Sequence, residues 1–98
     1  MARRIIWTPE AEKRFSDVIY YLEKKFSKKE AGLFIVNADR VINHIARFPK
    51  AFRLAGKSDL REALITEHNL LIYKATRKTI YILTFWDTRQ NPPRKFKK

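Results

Sequence analysis

The sequence predicts an α+β domain, with an N-terminal strand and an antiparallel helix hairpin packed on a small antiparallel sheet in the order β-α-α-β-β-β. Three observations carry this. Between residues 9 and 48 the apolar side chains recur at spacings of three and four, the period of a helix face. Between residues 60 and 86 they alternate or run continuously, as they do in strands. The punctuation then divides each region: Pro49 and two helix-start motifs bound two helices, and polar pairs around His68-Asn69 and Arg77-Lys78 separate three strands.

The elements follow in order. Arg-Ile-Ile-Trp-Thr at 4–8 is a short β-branched and aromatic run, a first strand. Thr8-Pro9-Glu10 then starts a helix. Thr8 can accept from the first free N–H groups, Pro9 has no N–H to leave unpaired, and Glu10 and Glu12 face the positive helix end. Ala11, Phe15, Val18, Ile19, Leu22 and Phe26 lie on one face, which places this helix at about residues 9–25. Ser27-Lys-Lys-Glu30 is a capping box that opens a second helix. Its stripe runs from Ala31 through Phe34, Ala38 and Ile42 to Ile45, and Pro49 ends it. Two amphipathic helices joined this tightly pack antiparallel with their stripes facing.

A polar connection at 50–57 leads to three strand-like runs, Leu-Arg-Glu-Ala-Leu-Ile-Thr-Glu-His, Asn-Leu-Leu-Ile-Tyr-Lys-Ala-Thr and Thr-Ile-Tyr-Ile-Leu-Thr-Phe-Trp. Their short separators predict antiparallel hairpins. One sheet face covers the helix hairpin, and the other is left to meet a partner. Alternation sends one of Phe85 and Trp86 inward. Residues 1–93 are read as a single domain and 94–98 as a basic tail, since 98 residues leave no room for a second core.

Charge points to the kind of partner. There are 22 Lys and Arg against 10 Asp and Glu, a formal net charge of +12. Residues 1–49 hold 10 basic and 6 acidic groups and residues 50–98 hold 12 and 4, so the excess is +4 and then +8. So basic a small domain attracts a polyanion, whether RNA, DNA, an acidic protein or an anionic surface. With no cysteine, disulfides and thiolate metal sites are excluded. The opening residues have too short an apolar run for a signal peptide, and no run approaches a membrane span, so a cytoplasmic protein is expected. The two glycines, Gly32 and Gly56, form no phosphate-binding loop, and His44 and His68 read as surface residues. No cofactor, metal, membrane or small-molecule substrate is therefore expected.

The chemistry that remains is cationic. Lys50, Arg53 and Lys57 stand in the loop before the sheet, Arg61 and Lys74 on strands, Arg77 and Lys78 in a turn, and Arg89, Arg94 and Lys95 at the C-terminal end. Arginine grips phosphate through a planar fork and stabilises charge that develops in phosphoryl transfer. Such a set either binds a polyanion or, given a base, cleaves RNA without a metal.

The chain resembles the RelE/ParE toxins of bacterial type II toxin–antitoxin systems over nearly its whole length. The resemblance rests on the order and spacing of IIWTPEAEKRFSDVIYYL, VINHIARFP, LREALI, LLIYKA and IYILTFWDTRQNP. It implies a growth-inhibiting toxin neutralised by a cognate, acidic antitoxin, and two possible targets. RelE-like members cut messenger RNA on the translating ribosome, and ParE-like members poison DNA gyrase. The RNA-cleaving pattern has an arginine just before the L-I-Y type motif, where this chain has Leu70. It has a second arginine after the last strand, which Arg89 matches. Its histidine two residues earlier is here Asp87, and no Tyr or His follows. Asp87 stands among cations that lower its pKa, a poor match to proton transfer near neutrality. The LRE at 60–62, with Arg61, is closer to the ParE-like pattern, although Arg61 equally suits a structural pairing with Glu62 or Asp59. The first expectation is thus a ParE-like toxin acting by binding. The alternatives are a ribosome-dependent ribonuclease with a rearranged site of Arg89, Arg61, Lys57 and Asp87, or an inactive basic binding module.

Overall fold

A computed structural model describes residues 2–89 of the chain. The strand β1 (Arg4–Trp7) is followed by the helices α1 (Pro9–Lys25) and α2 (Lys28–Arg47), then by β2 (Arg61–Thr66), β3 (Asn69–Ala75) and β4 (Thr79–Asp87). Both helix starts follow from local chemistry. The Thr8 hydroxyl oxygen accepts from the N–H of Ala11 at 3.0 Å, and Ser27 Oγ accepts from the N–H of Glu30 at 3.0 Å. Each satisfies one of the N–H groups that the first helical turn leaves unpaired.

The sheet order is β1-β4-β3-β2. The β2–β3 and β3–β4 pairs are antiparallel, as the short turns require. The strand β1 joins parallel to β4, with Arg4 opposite Thr79 and Trp7 opposite Ile82, so the sheet is mixed. In β4 the register shifts so that Thr84 faces Ile72 and Ile82 faces Tyr73, which leaves Leu83 without a partner on β3. This bulge lies where β1 hands over to α1. The Thr8 N–H donates to the Ile82 carbonyl, and the Thr8 hydroxyl lies 3.1 Å from the carbonyls of both Ile82 and Leu83. A single threonine therefore caps α1 and fastens it to the central strand.

The helix hairpin covers one face of the sheet. Ala11, Val18 and Leu22 of α1 and Ala31, Phe34, Ala38, Ile42 and Ile45 of α2 are buried against Leu71, Tyr73, Ile80, Ile82 and Phe85. Trp7, Phe15, Phe34 and Phe85 form an aromatic cluster with centroid separations of 5.1 to 6.2 Å, within the range of favourable ring pairs.

The opposite face is not left bare. Leu70, Ile72 and Trp86 form a second apolar cluster, and Ala55 and Leu60 of the connecting loop pack on it together with Leu83. Both Phe85 and Trp86 are therefore buried, on opposite faces. Alternation sends one of the two inward, here Phe85, but could not show that a loop folds over the other. Gly56, at φ 65°, supplies the left-handed residue of that loop. Among the described residues no helix is long and apolar enough to cross a membrane.

Candidate functional site

Two groups of charged residues lie at opposite ends of the sheet. The first is at the end of β4. Alternation from Phe85 puts Asp87 on the helix side, where it is completely buried. The chain then turns back, and Arg89 closes on it. Asp87 Oδ1 accepts from the Arg89 backbone N–H and from Arg89 Nε, both at 2.8 Å, and Oδ2 accepts from Nη2 at 2.6 Å. The guanidinium carbon lies 4.1 Å from the ring centroid of Phe26, a cation–π contact at the end of α1. The N–H of Thr88 donates to the His68 carbonyl at 2.6 Å and ties this segment to the β2–β3 turn.

Burial by itself pushes the Asp87 pKa up. The side-chain and backbone bonds from Arg89 and the charges of Arg89 and His68 outweigh it, and hold Asp87 below the usual carboxylate range. The bond to Asp87 in turn raises Arg89 against the effect of burial. Asp87 is thus a fixed anion and a poor proton acceptor near neutrality. The fork with which Arg89 would grip a phosphate is already filled by a carboxylate.

The second group surrounds the start of β2. Arg61 shares a side with the core residues Ala63 and Ile65 and lies opposite Tyr73. Its Nη1 donates to the Phe52 carbonyl at 2.7 Å. The Tyr73 hydroxyl donates to the Pro49 carbonyl at 2.6 Å, and burial pushes its pKa up to about 12 against the opposing charge of Arg61. Glu62 faces the other way and pairs with Arg53 at 2.6 Å. The pairing of Arg61 with Glu62 or Asp59 anticipated from sequence is thus replaced by a backbone carbonyl: Glu62, the strand neighbour, points to the opposite face, and Asp59 is exposed in the loop before β2. A groove of about 450 Å³ runs between Phe52, Arg53, Glu62, Leu64 and Leu70 on this outer side.

The residues Arg89, Asp87, Arg61 and Lys57 do not form one constellation. Asp87 and Arg89 belong together. Arg61 lies opposite Tyr73, four residues along β3 from the Asn69 that faces Asp87, or roughly 13 Å at strand rise. Lys57 is exposed on the loop that enters β2. Lys50, Lys74, Arg77 and Lys78 are likewise exposed, and Arg94 and Lys95 lie outside the described residues. Leu70 is packed with Ile72 and Trp86. Phe26, which carries the Arg89 guanidinium, reads in the sequence only as the last apolar residue of a helix stripe, and its contact with Arg89 is set by the fold. Among the described residues no three His, Cys, Asp or Glu side chains are grouped to hold a metal ion.

These features define a small basic α+β domain with a closed Asp87–Arg89 pair at one end of its sheet and Arg61 beside Tyr73 at the other. The model for the ParE toxin of type II toxin–antitoxin systems matches residues 5–92, and the chain belongs to that family of toxins. Its fold is similar to that of a chain from the chromosomal ParDE system of Pseudomonas aeruginosa, with a TM-score of 0.72 at 10% identity, covering 88% of this chain and 96% of that one. It is also similar to a chain of the Escherichia coli DinJ–YafQ toxin–antitoxin complex, with a TM-score of 0.61 at 14% identity over 91% and 96% of the two chains. The YoeB/ParE toxin of Agrobacterium tumefaciens gives 0.59 at 11% identity over 86% and 96%. At such identities these likenesses speak for the fold alone. No curated protein matches by sequence.

Proposed function

We propose that this toxin inhibits growth by binding its target, DNA gyrase, and that a cognate acidic antitoxin holds it inactive. The observation that carries this reading is the closure of Arg89 on the buried Asp87. An RNA-cleaving site needs a cation free to hold the scissile phosphate and a group able to move a proton near neutral pH. Here the one arginine that matches the RNA-cleaving pattern is occupied, the other position is Leu70 in an apolar cluster, and Asp87 is held ionised. What remains is a rigid basic surface suited to recognition.

The antitoxin reading rests on charge and on the helix hairpin. The chain carries +12, and Tyr20, Phe26, Leu33, Ile35 and Val36 expose apolar surface on or beside the two helices. An acidic amphipathic segment that orders on binding complements both features. The DinJ–YafQ structure is described as a toxin–antitoxin complex, which supports the same arrangement for this fold.

The test uses two assays on the same purified chain, gyrase supercoiling of plasmid DNA and cell-free translation with mapping of mRNA 5′ ends. Inhibited supercoiling with intact mRNA is expected. New mRNA ends within codons, dependent on translating ribosomes, would replace this reading with a ribonuclease built on a rearranged site.

A further inference from the structure

The end of the molecule opposite Asp87 and Arg89 gathers cations from four parts of the chain. The Arg3 N–H donates to the Ala46 carbonyl at 3.0 Å, Arg3 Nε to the Thr76 carbonyl at 3.1 Å, and the Arg4 N–H to the Lys78 carbonyl at 3.0 Å. These bonds tie the start of β1 to the end of α2 and to the β3–β4 turn. They bring Arg3, Arg4, Arg47, Lys50, Arg77 and Lys78 to one pole. The segments 40–58 and 68–86, which supply four of these six residues, contain no Asp or Glu. Among the described residues none of the six has a carboxylate partner. Arg47 also offsets the unpaired carbonyls at the end of α2 and Arg3 Nε holds the Thr76 carbonyl; the other four have no such side-chain duty.

A shallow notch of about 430 Å³ lies in this pole, lined by Arg3, Arg47, Phe48, Pro49, Lys50 and Ala51. The Phe48 ring is 54% exposed and has the His44 ring 5.1 Å away. An exposed ring is unfavourable in water, and here it sits with Pro49 and Ala51 between the cations Arg3, Arg47 and Lys50, none of which has a carboxylate partner among the described residues. Protein interfaces deplete lysine at their centre, and a patch of one sign calls for a polyanion opposite it. A stacking ring among phosphate-binding cations is the chemistry that holds single-stranded nucleic acid.

We propose that this pole is a binding site for single-stranded nucleic acid, with a base stacked on Phe48 and the backbone phosphates held by Arg3, Arg47, Lys50, Arg77 and Lys78. The site is separate from the Asp87–Arg89 pair and goes beyond the inhibition of gyrase, since it gives the toxin its own contact with a polynucleotide. A base reaches the exposed Phe48 ring only when it is unstacked from its neighbours, so a flexible single strand is the ligand the notch fits.

The test is fluorescence anisotropy of the whole chain with labelled 12-nucleotide DNA and RNA single strands and a matched DNA duplex, between 50 and 200 mM salt. The variant R47A/K50A/R77A/K78A is compared with K24A/K25A/K28A/K29A, which removes the same charge from the α1–α2 turn. The pole variant is expected to weaken single-strand binding at least tenfold and to flatten the log–log salt slope by about 0.7 for each phosphate that is no longer neutralised. The turn variant is expected to change binding less than threefold. Phe48→Ala is expected to weaken single-strand binding about fivefold or more while keeping the salt slope, as loss of a stacked base requires. All substituted side chains are exposed, and circular dichroism checks that each variant is folded; Lys50→Glu and Lys78→Glu singly serve if a quadruple variant is not. Equal weakening by the two quadruple variants, an unchanged affinity in Phe48→Ala, tighter binding of duplex than of single strands, or no binding by the wild type would each overturn the proposal. Gyrase inhibition is scored separately, so failure of either reading leaves the other measurable.

Discussion

Replacing Arg89 by alanine leaves a completely buried carboxylate with one hydrogen bond, from the backbone N–H of residue 89, in place of three. Removing one member of a buried ion pair typically destabilises by about 3–5 kcal/mol. The Arg89 side chain is 25% exposed, so water reaches its side of the pair, and the surviving backbone bond offsets part of the loss. A cost near the lower end, about 3 kcal/mol at pH 7, is expected, which for a domain of this size lowers Tm by roughly 12–24 °C. The more telling consequence is a change in sign. In the wild type the folded Asp87 pKa lies below its unfolded value of about 3.9, so the pair stabilises fully above that pH and the contribution is lost as pH falls through the acid range. In Arg89→Ala the two side-chain bonds and the Arg89 charge are gone, and burial outweighs the remaining backbone bond and the His68 charge and raises the Asp87 pKa. The folded state then holds a proton that the unfolded state has released, and stability falls as pH rises from about 4 toward 7. Urea unfolding at pH 4.5, 5.5 and 7, followed by the fluorescence of Trp7 and Trp86, reads both effects. A loss below about 1 kcal/mol at pH 7, with a pH trend parallel to wild type, would refute the reasoning.

Two further predictions concern the joints of the fold. Tyr73→Phe leaves the Pro49 carbonyl without its donor and should cost about 1–2 kcal/mol in urea unfolding. Because burial raises the folded Tyr73 pKa to about 12 while the unfolded value is near 10, this residue stabilises below about pH 10 and the contribution is lost as pH rises toward 12. Ultraviolet titration to pH 11 should therefore ionise nearly the same number of tyrosines in the wild type as in Tyr73→Phe; one more in the wild type would mean that Tyr73 titrates as an exposed phenol. Thr8→Ala removes both a helix cap and a tie to the Ile82–Leu83 carbonyls and should cost about 1–2 kcal/mol; a loss below about 0.3 kcal/mol would mean that β1 and β4 hold α1 without it.

What the sequence made legible was local. Thr8-Pro9 and Ser27-Lys-Lys-Glu30 determine their helix starts through bonds that span three residues, so α1 at 9–25 could be placed without a structure. The turns at His68 and Arg77 similarly paired three strands. The parallel docking of β1 on β4 was not legible, because four residues of strand carry no mark of their partner or its direction. The loop over Trp86 was hidden for a related reason: alternation tells which side a residue faces, and what covers that side is a long-range matter. At the candidate site Arg89 was found by its position after the last strand. Its engagement with Asp87 was not, since a charge two residues away reads equally as a solvated neighbour. The basic pole escaped for want of contiguity, with Arg3, Arg47 and Arg77 widely separated in the chain and joined only by the bonds to Ala46, Thr76 and Lys78.

The parallel pairing of the first strand with the last also sets the order in which this protein can form. The strand β4 is a central strand, flanked by β1 and β3, and it supplies the carbonyls that receive Thr8 and Arg14 as well as the ring on which Trp7 and Phe15 pack. The helix hairpin can collapse early on its local contacts, but the sheet that it covers has no middle until β4 has been synthesised. Bringing together residues more than seventy positions apart is the slow, entropically costly part of such a topology. A nascent chain of this toxin therefore emerges without its assembled surface. During synthesis the apolar face of its hairpin has no sheet to cover it, and that face is what the unfinished chain exposes.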